Sequence, residues 1–343
     1  MSRINWDPFA SRLREAQSIV LSTHINADGD GLGCEIALRQ FLTNIGRQAV
    51  IINNEPVPAR YRFLRGAEAV QVYESPRHAE MIRAADLFVV LDNSSVERLA
   101  KLREDVEATR ALRVCVDHHE TINPWWTINC VDNDACASGQ LVYELIRHVG
   151  GGVTPDMAEA LYVSIVTDTG QFRFSKTTAE SHRIVADLIE IGNISPARVF
   201  TEVYERTSVA MAALMGIGLC SLKLDHEGRF AWMRLSKEDV RSCGGEEEDT
   251  GDLANLALAI DGVVVSALFR EMPGGETKVS LRSKGEVDVA TLAGGFGGGG
   301  HRNASGILVA SSPEIVLRQV RMRVAEILPP RAIAAASPLA RSR

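Results

Sequence analysis

The stretch from Ser22 to Cys34, Ser-Thr-His-Ile-Asn-Ala-Asp-Gly-Asp-Gly-Leu-Gly-Cys, constrains this chain more than any other. An apolar run, Ile19-Val20-Leu21, leads into it, and three metal-type side chains follow: His24, Asp28 and Asp30. Glycines at 29, 31 and 33 are expected to break regular structure. From Glu35 to Leu42 the apolar residues return at helical spacing. The order is strand, ligand-bearing loop, helix, which in an open α/β sheet marks the carboxyl end of a strand, where ligands bind. Two other motifs fail. A calcium loop starting at Asp28 needs an oxygen ligand at 32 and a Glu at 39, where the chain has Leu32 and Arg39. A dinucleotide fingerprint needs G-x-G-x-x-G, whereas here carboxylates sit between alternating glycines and would repel a pyrophosphate.

The same design recurs downstream. Leu87-Phe88-Val89-Val90-Leu91 is a continuous apolar run of the kind buried parallel strands show, and it ends at Asp92. Leu112 to Val116 ends at Asp117-His118-His119. Ala158 to Val166 reads as a less regular repeat of the pattern and ends at Thr167-Asp168-Thr169-Gly170. Taken singly, each polar residue could cap a helix or sit in a surface loop. Taken together, His24, Asp28, Asp30, Asp92, His118 and Asp168 are six oxygen and imidazole ligands, all at segment ends. The absence of cysteine from the set argues against structural zinc and for Mn²⁺ or Mg²⁺, with Fe²⁺ or Co²⁺ as further options. Six ligands suit two ions, the arrangement that clamps a phosphoester and activates a water.

The 343 residues allow two or three domains. A formal net charge of -7 excludes a non-specific nucleic-acid coat protein, so any nucleic-acid contact is expected to be short and local. Six cysteines form no C-x-x-C pair, the N-terminus does not read as a signal peptide, and no apolar run reaches the roughly 18 residues of a membrane span. A cytoplasmic protein with free thiols is expected. From 192 the pattern turns helical and reads as a connector to 217. Strand-like segments follow at Phe230 to Leu235, Val263 to Arg270 and Lys278 to Arg282, with an acidic loop from Gly244 to Gly251 between the first two. Four glycines, 297 to 300, precede His301 and leave backbone N–H groups open to an anion, with Arg282 as a nearby cation. The division expected is 1–191, a connector at 192–217, a smaller domain at 218–328 and a disordered tail at 329–343.

With Asp117-His118-His119 in place, the chain resembles the DHH phosphoesterase superfamily, over about residues 10 to 325. His24-x3-Asp28-x-Asp30, Asp92, the triplet and Asp168 match its N-terminal motifs, and Gly297 to His301, with Ser280-Leu281-Arg282-Ser283 ahead of it, resembles the DHH-associated domain. The phrase Thr167-Asp168-Thr169-Gly170-Gln171-Phe172-Arg173-Phe174-Ser175 is most similar to the oligoribonuclease/PAP phosphatase group. The resemblance implies an α/β fold: a mainly parallel N-terminal sheet with flanking helices, a smaller C-terminal α/β domain, and an active-site cleft between them. It implies two divalent ions, Mn²⁺ first. His24 and Asp28 would hold one, Asp30, His118 and Asp168 the other, and Asp92 would bridge. His119 would act on the scissile phosphate and Asp117 would orient the histidines. Arg282, Ser283, Gly299, Gly300 and His301 would bind the rest of the substrate. The implied reaction releases 5′-mononucleotides from short RNA or AMP from 3′-phosphoadenosine 5′-phosphate (PAP). Cyclic di-AMP or pApA is the alternative substrate, and a non-catalytic nucleotide-binding module is a third reading. Relatives are often homodimers; no membrane partner and no long nucleic-acid track are implied.

Overall fold

The structure is a computed structural model and describes residues 3–119, 123–245 and 250–328, apart from the side chain of His301. The expected tail at 329–343 and the centre of the acidic loop, 246–249, lie outside the described residues. Contacts divide the chain into two units, Met1–Arg206 and Thr207–Arg343.

In the first unit six strands form one sheet: β1 (Ser18–Ser22), β2 (Gln48–Asn53), β3 (Val70–Val72), β4 (Leu87–Leu91), β5 (Leu112–Asp117) and β6 (Ile128–Val131). Every pairing is parallel and the order is β3-β2-β1-β4-β5-β6, with Leu21 of β1 between Ile51 and Val89. Around it lie α1 (Asp7–Glu15), α2 (Gly29–Asn44), α3 (Arg77–Ala84), α4 (Arg103–Ala108), α5 (Ser138–His148), α6 (Pro155–Asp168), α7 (Ala179–Gly192) and α8 (Pro196–Tyr204). Alternate strand residues serve opposite faces. Leu21, Ile51, Val89 and Val114 pack with α1, α2, α5, α6 and α7, while Val20, Ile52, Phe88 and Cys115 pack with Ile82 of α3, Val106 of α4 and Trp126. Burial on both faces is why β4 carries no polar residue. The strand order reverses between β1 and β4, so the crevice of a doubly wound sheet opens at their carboxyl ends.

Two expectations need correction. The glycines after Asp28 do not interrupt the chain: α2 begins at Gly29, with Asp28 as its N-cap and Asp30 in its first turn. Their role is proximity, because a Cβ on Gly33 would run into the carbonyl oxygen of Ala160 in α6. Asp168 also ends a helix rather than a strand-like segment. Helix α6 is buried almost all round, so its apolar residues form a near-continuous run without a polar face to reveal the helical period.

In the second unit the helices are α9 (Val209–Cys220), α10 (Lys237–Ser242), α11 (Ala254–Leu258), α12 (Val289–Gly294) and α13 (Pro313–Ile327). The strands are β7 (Lys223–Asp225), β8 (Phe230–Leu235), β9 (Val265–Glu271), β10 (Thr277–Ser283), β11 (Gly299–His301) and β12 (Ala304–Val309). The sheet order is β11-β12-β10-β9-β8-β7, antiparallel except for β8 beside β9. Helix α13 buries Val316, Val320 and Val324, one residue per turn, against this sheet's core. The helical stretch from 192 to 217 is divided between the units, α8 going with the first and α9 with the second.

Candidate metal centre and active site

The crevice at the ends of β1 and β4 gathers all six expected ligands. Three overlapping groups each bring their ligand atoms within 4.8 Å of one another: His24, Asp28 and Asp92; Asp30, His118 and Asp168; and Asp92, His118 and His119. Asp92 follows β4 directly with φ 58°, a left-handed backbone that turns its carboxylate into the crevice. Its Oδ2 is 3.4 Å from His24 Nε2, while its Oδ1 is 3.6 Å from His118 Nε2. One carboxylate thus faces two ligand groups with different oxygens.

The imidazoles are set by their other nitrogens. His24 Nδ1 donates to the carbonyl of Ile25 at 2.7 Å, and His118 Nδ1 to that of Ala135 at 3.2 Å. Both Nε2 lone pairs are therefore left for the centre. Burial, the largest influence on each, lowers both pKa values and favours the neutral ring a metal needs. His118 Nε2 is buried without a hydrogen-bond partner among the described residues, although Asp168, Asp92 and Asp30 stand 3.2, 3.6 and 3.7 Å away. His119 differs. Its Nδ1 lies 2.7 Å from Asp117 Oδ1, which also accepts from the backbone of His118 and His119. Burial opposes a charge on His119, but the hydrogen bond and the negative charge of Asp117 outweigh it and raise the pKa.

The carboxylates crowd one another. Burial raises the pKa of Asp92 well above the usual range, and the charges of Asp30, Asp28, Asp117 and Asp168 raise it further. Burial and then Asp30 and Asp28 do the same to Asp168. Such a cluster is stable in charged form only with cations among its oxygens, so the donor set fits hard divalent ions. Asp28 binds the N–H groups of Asp30 and Gly31 through Oδ1 and leaves Oδ2 toward His24.

Sequence reasoning missed the residues that hold Asp30. The first N–H groups of α5 do so: Ser138 N to Oδ2 at 2.7 Å and Gly139 N to Oδ1 at 3.0 Å, with the Ser164 hydroxyl also donating to Oδ1. Ser138 Oγ donates to Asp92 Oδ1 at 3.1 Å. A Ser-Gly pair opening a helix was the available signal, since such a terminus holds anions. Lys176 was missed as well; its Nζ donates to the carbonyl of His118 at 3.2 Å, and its charge acts on His118 and Asp168. A cleft of about 710 Å³ lined by Asn133, Asp134, Ser175, Lys176 and Thr178 opens beside it.

In the second unit, Arg282 donates to the carbonyl of Leu281 and to Asp252 Oδ1 at 3.2 Å, the latter largely exposed. Ser283 is buried, its hydroxyl donating to Val287 O at 2.6 Å and accepting from Asn303 Nδ2, so it anchors the turn after β10. Gly299 and Gly300 lie in β11, an edge strand, and Gly300 has φ 142°, where a side chain would be strained and would meet the backbone of Ala304. His301 completes that strand, and its side chain lies outside the description. Among the described residues, no helix is long and apolar enough to cross a membrane.

Residues 18–165 match the DHH family, N-terminal domain, and residues 240–327 match the DHHA1 domain. A protein of Thermus thermophilus described as a bifunctional oligoribonuclease and PAP phosphatase NrnA is 30% identical over 288 residues, 84% of this chain and 83% of its own length. The Bacillus subtilis protein of the same description is 27% identical over 303 residues, 87% of this chain and 91% of the other. An exopolyphosphatase-related protein from Bacteroides fragilis superposes with a TM-score of 0.88 at 26% identity, covering 94% of this chain and 95% of that one. With the motif residues assembled in one crevice, the chain belongs to the DHH phosphoesterase superfamily, a family of metal-dependent hydrolytic enzymes, and within it resembles the NrnA group.

Proposed function

We propose that this protein hydrolyses short oligoribonucleotides to 5′-mononucleotides and removes the 3′-phosphate of PAP to leave AMP, using two divalent ions, Mn²⁺ first, with Mg²⁺, Co²⁺ or Fe²⁺ as substitutes. The observation that carries the reading is Asp92, whose two oxygens face two separate ligand groups. His24 and Asp28 would hold one ion, Asp30, His118 and Asp168 would hold the other, and Asp92 is placed to serve both. Divalent ions held there would supply Lewis-acid polarisation of the phosphoryl oxygens and a water of lowered pKa. The chain's residues do the rest. The N–H groups of Ser138 and Gly139 fix Asp30, and the carbonyls of Ile25 and Ala135 fix the two ligand tautomers. Asp117 holds His119 by Nδ1 and favours its charged form, so His119 offers a proton or a positive charge to the ester as its bond breaks.

The names carried by the relatives support RNA fragments and PAP over cyclic di-AMP. The cleft of about 710 Å³ beside Lys176 suits a nucleotide or two, within the roughly 300–1,000 Å³ of small-ligand sites. The second-unit residues Arg282, Gly299, Gly300 and His301 bind the non-reacting end of the substrate. A cytoplasmic setting belongs to the same reading, in keeping with six unbridged thiols.

The test has two parts. Purified protein with Mn²⁺ is assayed against a dinucleotide, PAP, cyclic di-AMP and pyrophosphate, and its metal content is measured beside that of Asp92→Ala. Turnover of the first two with two bound ions is expected, and the variant should lose both ions. Preference for cyclic di-AMP or pyrophosphate would overturn the substrate assignment, and full occupancy in Asp92→Ala would overturn the bridge.

A further inference from the structure

A cation beside this centre makes no ion pair of its own among the described residues. Arg98 lies in a short 3-10 helix, Glu97–Leu102, in the connection after β4 and is half-buried. Its side chain has no hydrogen bond or ion pair among the described residues, although the crevice beside it is rich in carboxylates.

The loop is built to hold that arginine in place. Ile25 N donates to the carbonyl of Arg98 at 2.9 Å, and Ile25 O in turn takes the Nδ1 proton of His24 at 2.7 Å. Arg98 is therefore tied to the residue that follows a ligand. Asn54 clamps the segment on the other side, its Nδ2 donating to Leu99 O at 3.1 Å and its Oδ1 accepting from Lys101 N at 2.9 Å. Trp126 Nε1 donates to Ser94 O at 2.8 Å, and Ala100 has the unusual backbone angles φ 46°, ψ -111°. A loop this constrained around a free guanidinium resembles a preorganised binding group more than a solvated surface residue. The Arg98 charge also opposes protonation of His24 and of His119, although Asp117 still raises the pKa of His119, so the charge lies within electrostatic reach of both flanks of the crevice.

The charge balance calls for such a group. Asp28, Asp30, Asp92, Asp117 and Asp168 carry five negative charges, which two divalent ions and a charged His119 would offset, so the charge that a phosphoester brings still needs a partner. Lys176 is already bound to the His118 carbonyl. The Arg98 guanidinium has no such partner among the described residues, and a guanidinium fits two phosphoryl oxygens at once.

We propose that Arg98 grips the non-bridging oxygens of the scissile phosphate, setting the phosphorus between the ligand groups and His119. The inference rests on the phosphoesterase reading above. It predicts a contact shared by every ester the site accepts, because the scissile phosphate is the part they have in common.

The full-length, Mn²⁺-loaded protein is compared with Arg98→Ala and Arg98→Lys. The backbone contact to Ile25 survives both changes, so folding and metal content should stay at the wild-type level. In Arg98→Ala, kcat/KM should fall about 10- to 100-fold on PAP and by a similar factor on bis-p-nitrophenyl phosphate, the size of a lost charge-assisted contact. Arg98→Lys should recover part of it, keeping the charge without the fork. AMP binding, followed by calorimetry, should weaken in parallel. Wild-type rates on both esters in Arg98→Ala, or loss of metal from it, would overturn the proposal. If the wild type hydrolyses neither ester, the phosphoesterase reading fails, and AMP affinity decides this point alone: equal affinity in wild type and Arg98→Ala, or none in either, rejects the contact.

Discussion

Four polar side chains, three of them buried and His119 partly so, differ in what each one's second atom touches. His24 and His118 give Nδ1 to carbonyls and keep Nε2 for ligation, while His119 gives Nδ1 to a carboxylate and gains basicity. Glu35, on the same helix as Asp30, does something else. It is fully buried, its Oε2 accepts from Asn53 Nδ2 at 2.8 Å, and its Oε1 has no hydrogen-bond partner among the described residues. Burial pushes its pKa up to about 8, against a smaller lowering by Asn53. The folded value lies above the unfolded one, so the native state holds the extra proton between about pH 4.5 and 8. Stability from this group is complete below that window and is lost as pH rises through it. The full effect is about 5 kcal/mol at most, taking 1.36 kcal/mol per unit. Glu35→Gln keeps the shape, removes the titration and offers an amide to Asn53 Oδ1, which also lacks a partner. The Tm of the metal-saturated wild type should therefore drop more between pH 5.5 and 8.5 than that of Glu35→Gln. Equal drops would show that Glu35 is not the titrating group.

Helices α2 and α6 carry candidate ligands at opposite ends, Asp28 and Asp30 at the start of one and Asp168 at the close of the other. They can do so because they touch through backbone. A Cβ at Gly33 would meet Ala160 O, and one at Gly29 would lie 2.5 Å from Thr167 Oγ1. Helix propensity alone favours Gly33→Ala by about 1 kcal/mol. The steric term opposes it, and forcing a methyl against a carbonyl costs about 1–3 kcal/mol. We expect the steric term to win, lowering Tm by several degrees and weakening metal binding as the helices part. Gly216→Ala in α9 is the control, since nothing lies within 4 Å of the added Cβ. It should leave Tm unchanged or raise it. A stabilised Gly33→Ala would mean the helices do not depend on that contact.

For the protein taken as one enzyme, the second unit's contribution can be read through substrates of different size. Arg282 comes long after the last ligand in the chain and is paired with exposed Asp252, a contact an incoming phosphate can replace. If it holds the non-reacting end, Arg282→Ala should keep its metals and lose roughly 10- to 150-fold in kcat/KM on PAP or a dinucleotide, the equivalent of about 1.5–3 kcal/mol. Bis-p-nitrophenyl phosphate lacks that end and should be turned over almost normally. A parallel fall on both would assign Arg282 to folding or to the metal centre. The pattern is the opposite of that expected for Arg98, so the two arginines are separable in one pair of assays.

Much of this was legible in the residues alone. The ends of β1, β4 and β5 each release a ligand, and a buried parallel strand shows itself as an apolar run with a polar residue at its close. That local rule was enough to pick out the six candidate ligands, which the fold brings into one crevice, and to read a parallel sheet. It misread α6 because a helix buried on every side has the same apolar signature as a buried strand, and it misread the glycines of α2 because their reason lies across the packing, at Ala160 and Thr167. The nitrogen by which His118 faces the centre, the N–H groups that hold Asp30 and the place where Arg98 stands all depend on residues 17 to 109 positions away. Ser138 meets Asp30, Ala135 meets His118, and Arg98 meets Ile25. Sequence spacing carries a period, and a period reports the local backbone; the partner of a polar atom is chosen by the order in which strands are laid side by side, which becomes physical only when the sheet closes.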